Sequence, residues 1–178
     1  MPPMGSHLSG HFVHICHSTG RRNLQIAAHK GNSLMPNLLL WVDCVPPKAT
    51  SQQKGAVRTS KGIRFYKKHH VAAVEQELLG LLRSAIPKDW TMIESGPISL
   101  DVRFVWPWRN SEPQKNRIQP VRAMYVRPDC SNIIKMLEDA LTHLKVWRDD
   151  SQVASLQVMK FWGDRPGISI GVKQIEEC

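Results

Sequence analysis

The sequence predicts an α+β protein, one small mixed β-sheet packed by two α-helices. Three observations carry this. Short runs alternate apolar and polar residues at the period of a half-buried strand. Two longer stretches repeat apolar residues at helical spacing instead. The elements run strand, helix, two strands, helix, two strands, an order that suits one sheet covered by two helices. A chain of 178 residues is the size of one domain and can bury one ordinary core.

Taken in order, residues 38–45 form an apolar, strand-like run stopped by Pro46 and Pro47. Residues 48–62 are polar, with Gly, Lys and Arg, and are expected to be a basic loop. Val71, Val74, Leu78, Leu81 and Leu82 mark a helix over 71–84. Ile98, Leu100, Val102 and Phe104 alternate, which predicts a strand with one buried face, ended by Trp106-Pro107-Trp108. A polar loop over 109–120 leads to a short strand at 121–126. The second helix begins near residue 130 and runs to about 144, and strands follow at 153–162 and 168–175. The link "GDRPG" between those two is short and turn-rich, so they are expected to form a hairpin.

Residues 1–34 differ from the rest. They contain no acid, the first being Asp43, and are rich in Gly, Ser, His and Asn. We expect a basic, disordered lead, or sequence upstream of the true start, before a folded domain over 35–178. Within the lead, His11, His14, Cys16 and His17 stand close enough in sequence to suggest a metal site, although no second ligand cluster supports one. The four cysteines, Cys16, Cys44, Cys130 and Cys178, are scattered without a Cys-x-x-Cys pair. That argues against a disulfide framework or structural zinc and for a reducing, cytoplasmic setting. No apolar run approaches the ~20 residues of a membrane span, and the N-terminus lacks a secretory apolar region. The net charge of +9 favours a polyanionic partner, nucleic acid before an anionic membrane surface.

The chemistry concentrates in "RPDCSNIIKMLEDAL". With Ser131 at the origin of a helical wheel, Lys135, Glu138 and Thr142 fall within ~40° of it at ~100° per residue. Ile133, Leu137, Ala140 and Leu144 fall on the opposite side. Such a stripe is ordinarily a solvated face of i, i+3 and i, i+4 pairs. Its neighbours raise its interest. Asp129 precedes the helix behind Pro128, and Asp149 and Asp150 follow it, just before the next strand. Carboxylates from separate elements suit magnesium, which takes oxygen ligands and keeps several waters. Beside a lysine they suit phosphodiester hydrolysis: the metal polarises the phosphate and acidifies a water, and the lysine offsets phosphate charge.

These residues resemble the RusA-type Holliday junction resolvases. The family pattern Asp-x-Asp-Asn-x-x-Lys, Asp-Ala-Leu, Asp-Asp-x-Gln-Val and a later Lys stands here as "DCSNIIKMLEDAL", "WRDDSQV" and Lys160 in "VMKFW". A looser likeness is the Pro-rich, basic "VPPKATSQQKG", and the resemblance covers roughly 36–175. It implies a RusA-like fold and a homodimer that binds branched, four-way DNA. It implies paired nicks at the branch with magnesium, or manganese in its place, and no small-molecule cofactor. It assigns metal ligation to Asp129 and Asp150 and assistance at the phosphate to Lys135, with Asp149 a further candidate at the metal, supporting the site from beside Asp150. One position departs: the family's second aspartate is Ser131. Glu138, seven residues on along the same stripe, is our candidate to supply the lost charge; the rival account has Ser131 simply capping the helix.

Lys48, Lys54, Arg58, Lys61 and Arg64 make the 48–64 segment the best candidate grip on DNA. Arg103, Arg109, Lys115, Arg117, Arg122 and Arg127 form a second group, and Lys160 joins the set. Trp106 and Trp108 are candidate wedges for the branch point, but aromatics of this kind more often serve in the core or a dimer interface. A junction-resolving endonuclease is thus the leading expectation. The alternatives are a structure-selective DNA-binding protein whose catalysis is weakened or lost through Ser131, and a small binding module with acids as surface decoration.

Overall fold

The computed structural model describes residues 37–49 and 54–175. The lead over 1–34, with its histidines and Cys16, and Cys178 at the other end, lie outside the described residues. The elements are β1 (Asn37–Val42), β2 (Lys54–Thr59), β3 (Gly62–Lys67), α1 (His69–Ala85), β4 (Ile98–Pro107), β5 (Val121–Ala123), α2 (Cys130–His143), β6 (Val153–Gly163) and β7 (Gly167–Gln174). Five strands form a sheet in the order β1-β7-β4-β6-β5, and β2 and β3 pair separately. The β4–β6 ladder is parallel and the others antiparallel. The architecture is α+β, with a mixed sheet and two helices, as expected.

The alternation in β4 decides where the core lies. Ile98, Leu100, Val102, Phe104 and Trp106 point to one face and are buried. Ile168, Ile170 and Val172 of β7 and Leu38, Leu40 and Val42 of β1 extend that face. Val71, Leu78 and Leu82 of α1 and Ile133, Leu137 and Leu141 of α2 cover it. On the opposite face Leu39 and Arg103 are exposed. Trp106 is core: its ring is buried and its indole donates to the carbonyl of Pro46 at 2.7 Å. Trp108 donates to Asp164 Oδ1 at 2.8 Å across the end of the sheet.

Two expectations are corrected. The basic loop is largely a hairpin, since β2 and β3 pair from Lys54↔Lys67 to Thr59↔Gly62 across Ser60 and Lys61. Its charges interleave with Val57, Ile63, Phe65 and Tyr66, which favour extended chain. Gly62 takes φ 119° at the turn, a conformation glycine adopts without a steric penalty. The second correction is that β6 and β7 do not pair with each other. They flank β4, which hydrogen-bonds to both. The link Asp164-Arg165-Pro166 passes over the end of β4. Four Cα steps span up to ~14 Å, enough for the ~10 Å between second-neighbour strands. Pairing both edges of the most buried strand satisfies more backbone than a tight hairpin would.

Arg165 also fastens this link to β1. It makes two 3.1 Å bonds to Asp43 and lies over the Trp41 ring at 4.9 Å. That pairing holds the Asp43 carboxyl below its usual range, with the Trp41 indole assisting. Two members of the second basic group likewise have structural work. Arg109 and Arg122 both bind the buried carboxylate of Glu112, at 2.8 and 2.7 Å, and Asn116 adds a third partner. Chiefly Arg109, then Asn116, holds that carboxyl low. A buried charge so surrounded is satisfied, so these two arginines brace the 109–122 segment.

Candidate active site

Asp129 occupies the N-cap position of α2. Its backbone carbonyl accepts the N–H groups of Asn132 and Ile133, both at 3.2 Å. Its carboxylate does not turn inward to cap the helix; its contact is with Asn132 Nδ2 at 3.4 Å. An aspartate here ordinarily spends its side chain on the first turn; this one is left exposed. Ser131 lies inside the first turn, so it is not the cap, and that rival account is corrected. The approach to Asp129 runs through a cis Arg127–Pro128 bond. Lys160, on the helix-covered face of β6 opposite Phe104, donates to the carbonyls of Val126 at 2.8 Å and of Pro128. With two of its three donors engaged, Lys160 is a positioning residue for the strap that carries Asp129.

Along α2, Ile133, Leu137 and Ala140 are buried, while Ser131 and Lys135 are exposed. The wheel is therefore realised. Lys135 lies 3.7 Å from Asp139, one turn on. Thr142 is not a free member of the stripe, because its hydroxyl accepts the Trp147 indole N–H at 2.7 Å. Glu138 is half-buried. Its carboxyl is pushed up, first by that burial and then by the charge of Asp150, with Lys135 opposing.

Asp150 is placed by a tightly specified turn. After α2, Lys145 takes φ 59° and turns the chain. Trp147 then sits fully buried, bridged to Ile93. A short 3₁₀ turn follows at Asp150–Gln152, capped by Asp149, whose side chain accepts the Ser151 N–H at 2.9 Å. Ser151 holds the Asp149 carboxyl below its usual range. Gln152 closes the box: its Oε1 accepts from the N–H groups of Arg148 and Asp149 at 3.0 and 3.1 Å. Its Nε2 donates to the carbonyl of Gly96 at 3.2 Å. Asp149 and Gln152 thus build the turn, and Asp150 is carried on it with no side-chain hydrogen bond or ion pair among the described residues.

Asp150 therefore lies near enough for its charge to raise the pKa of the Glu138 carboxyl. Asp129 stands nine residues before Glu138, at ~13 Å of helix rise. Among the described residues no group of three or more His, Cys, Asp and Glu is gathered closely enough to hold a metal ion. The pair fits magnesium in donor chemistry. Both ligands are carboxylates, they repel each other, and this ion needs only one or two protein carboxylates beside its waters.

The candidate DNA contacts are scattered. Lys48 is exposed after β1 and Arg127 before Pro128; Lys54 opens β2, and Arg58 and Lys61 are exposed on the hairpin. Ile63 and Phe65, on one face of that hairpin, are exposed too, at 67% and 68%. Two residues that build the turn carry no individual role in the sequence pattern. Trp147 and Gln152 shape the turn. Tyr125, 81% exposed, stands four residues before Asp129 with its ring in solvent. Nothing in a single sequence marks such a tyrosine as exposed.

A family model described as Endodeoxyribonuclease RusA matches residues 45–173. That span contains α2, the Asp149–Gln152 turn and Lys160. In Bacillus subtilis (strain 168), the "Uncharacterized protein YqaN" is 28% identical over 151 residues, covering 75% of this chain and 99% of that protein. In Lactococcus phage r1t, the "Crossover junction endodeoxyribonuclease rusA" is 26% identical over 135 residues, 71% of this chain and 89% of that protein.

Proposed function

The chain belongs to the RusA endodeoxyribonuclease family, and from that premise we propose that it is a magnesium-dependent endonuclease resolving four-way DNA junctions by paired nicks. We read it as a homodimer working in recombination and repair in the cytoplasm of a bacterium, as a host or prophage product. One observation carries this best. The Asp150 charge acts on Glu138 from a turn built by other residues, and the Asp150 side chain makes no hydrogen bond or ion pair among the described residues. Apposed like charges cost stability and are characteristic of functional sites.

Asp150 and Glu138 would hold the magnesium, with Asp129 presented from the other end of the stripe. When bound, the ion polarises the scissile phosphate and lowers the pKa of an attacking water. Lys135, exposed on the same stripe, offsets charge developing on the phosphate. Asp149 supports the site through the turn it caps, and Lys160 by fixing the Asp129 strap. The test is a synthetic four-way junction with and without magnesium: paired nicks only with magnesium are expected. A second reading, a junction-binding protein with weakened catalysis, is favoured by Ser131 and by the distance of Asp129 from Glu138. It yields a shifted complex and no nicks.

Glu138 gives a sharper check. A carboxyl whose folded-state pKa is raised binds its proton more tightly when folded. Its ionised form therefore costs stability as pH rises above its ordinary value of 4.5. Glu138→Gln is expected to raise the melting temperature of the metal-free protein at pH 7, and to leave it unchanged near pH 4. The same variant should lose magnesium-dependent cleavage while still shifting the junction. Full cleavage by Glu138→Gln would remove it from the site.

For the hairpin, Arg58, Lys61 and Arg64 each replaced by Ala should flatten the salt dependence of junction binding. Each lost phosphate contact reduces the slope of log K against log salt by ~0.9, so the triple variant should lose up to ~2.7. An unchanged slope would place the DNA elsewhere.

A further inference from the structure

Segment 109–122 carries more positive charge than its own bracing needs. Its charged residues are Arg109, Glu112, Lys115, Arg117 and Arg122, four cations against one acid. That acid is withdrawn from solvent, with none of its side chain exposed. Both its oxygens are engaged. Glu112 Oε2 accepts Arg109 Nε at 3.2 Å and Nη2 at 2.8 Å. Oε1 accepts Arg122 Nη1 and Asn116 Nδ2, both at 2.7 Å. A carboxylate with four donors has no site left for another.

The arginines are not filled in this way. A guanidinium has five N–H groups. Arg109 gives two of them to Glu112 and Arg122 gives one. Neither side chain has another acceptor among the described residues, and they remain 50% and 42% exposed. Arg117 is tied to the same group, since its Nη2 donates to the Arg109 carbonyl at 3.0 Å. Its Nε is buried and has no hydrogen-bond partner among the described residues. A buried donor left unpaired is uncommon and calls for an account. Arg109 has a second hold, its guanidinium lying 5.6 Å from the centre of the buried Trp162 ring. Arg122 stands opposite Trp162 in the β5–β6 ladder. Buried groups thus fix Arg109 and Arg122, while about half of each side chain stays in solvent.

Fixed arginines with spare donors suit a phosphate. The planar fork of Arg matches phosphate oxygens, and ordering a free side chain is a cost that binding must otherwise meet. Glu112 orders two of them in advance. We propose that Arg109, Arg117 and Arg122, arranged around buried Glu112, form a clamp for a backbone phosphate of DNA. The inference rests on the DNA-cleaving function proposed above and adds to it a binding site distinct from the 54–67 hairpin. A phosphate oxygen that draws the Arg117 head group outward would also bring its Nε–H a partner. The clamp is linked to Asp129 by a held backbone. Met124 N–H bonds the Lys160 carbonyl at 2.9 Å, and Lys160 Nζ holds the carbonyls of Val126 and Pro128. Arg122 and Asp129 are seven residues apart, at most ~25 Å. At ~3.4 Å of rise per nucleotide, the clamped phosphate lies within ~7 nucleotides of one at Asp129.

Binding of a synthetic four-way junction in calcium, read by fluorescence anisotropy over a range of salt, tests this. Arg117→Gln leaves the Glu112 bonds intact and should reduce the slope of log K against log salt by ~0.9, one phosphate contact. Glu112→Gln discriminates by sign. It removes a negative charge, so general attraction to DNA predicts tighter binding. The clamp predicts binding weaker by about tenfold, the worth of one charge-assisted hydrogen bond, because the arginines lose the charge that orients them. A parent slope for Arg117→Gln, or a Glu112→Gln that binds as tightly as the parent or more so, overturns the proposal. If Glu112→Gln does not fold by circular dichroism, Arg109→Lys with Arg122→Lys decides. Both charges can still pair with Glu112 but the forks are gone, so affinity should fall by about tenfold with the slope kept. Unchanged affinity would equally overturn the clamp. Variants that bind like a parent that cuts junctions strike only the clamp. A parent that cuts nothing, with variants that bind as predicted, strikes only the nuclease reading.

Discussion

Asp150→Asn is expected to lower magnesium-dependent cleavage of a four-way junction by ~10²–10³-fold, the usual effect of losing one preorganised charge-stabilising group. Junction affinity should change little. The substitution is conservative for a structural reason. Asp149 caps the turn and Gln152 closes it, so Asp150 can lose its charge without the turn opening. It also relieves Glu138, whose carboxyl is pushed up in part by the Asp150 charge. The metal-free variant should therefore melt no lower than the parent at neutral pH. Single-turnover cleavage with magnesium and a gel shift with calcium separate the two effects. A variant that cuts within about threefold of the parent would place the chemistry away from this turn, because a ligand loss is expected to cost far more.

Trp147→Ala should destabilise the protein by ~3–5 kcal/mol, the range for emptying a fully buried large aromatic site. Trp147 is fully buried, its backbone bridges to Ile93, and its indole holds Thr142 at 2.7 Å. For a chain of this size that corresponds to roughly 10 °C in melting temperature. Cleavage should fall further than the folded fraction explains, since Trp147 lies three residues before Asp150. Trp147→Phe keeps most of the packing and loses the indole bond, so it should cost only ~1 kcal/mol. Urea unfolding of the two variants reads the difference. A loss below ~1 kcal/mol for Trp147→Ala, far under the usual range, would show that the turn is anchored by something else.

Much of this protein was legible in one dimension. The helix over 71–84 and the buried face of β4 follow from apolar spacing alone, because side-chain direction repeats with the local period. The stripe on α2 follows in the same way, and its buried side is the one the spacing predicts. The motif around Asp129 and Asp150 marked the family. Other features were legible only in part. Residues 48–62 read as a loop because their charges outnumber the extended-chain residues, whereas the strands pair over 54–67. Lys160 and Arg109 counted as free cations, whereas the first holds two carbonyls and the second a buried carboxylate.

By itself, then, the sequence determined the two helices and the strands of the main sheet, the face these elements bury, and the family. Those depend on neighbours a few residues apart along the chain. Tertiary structure decided that β4 lies between β6 and β7, that the charge of Asp150 acts on Glu138, and that Lys160 holds the strap that carries Asp129. Each joins residues distant in sequence. Strand order and the facing of side chains are set by which pairing buries the most apolar surface and satisfies the most backbone, and no local pattern encodes that sum.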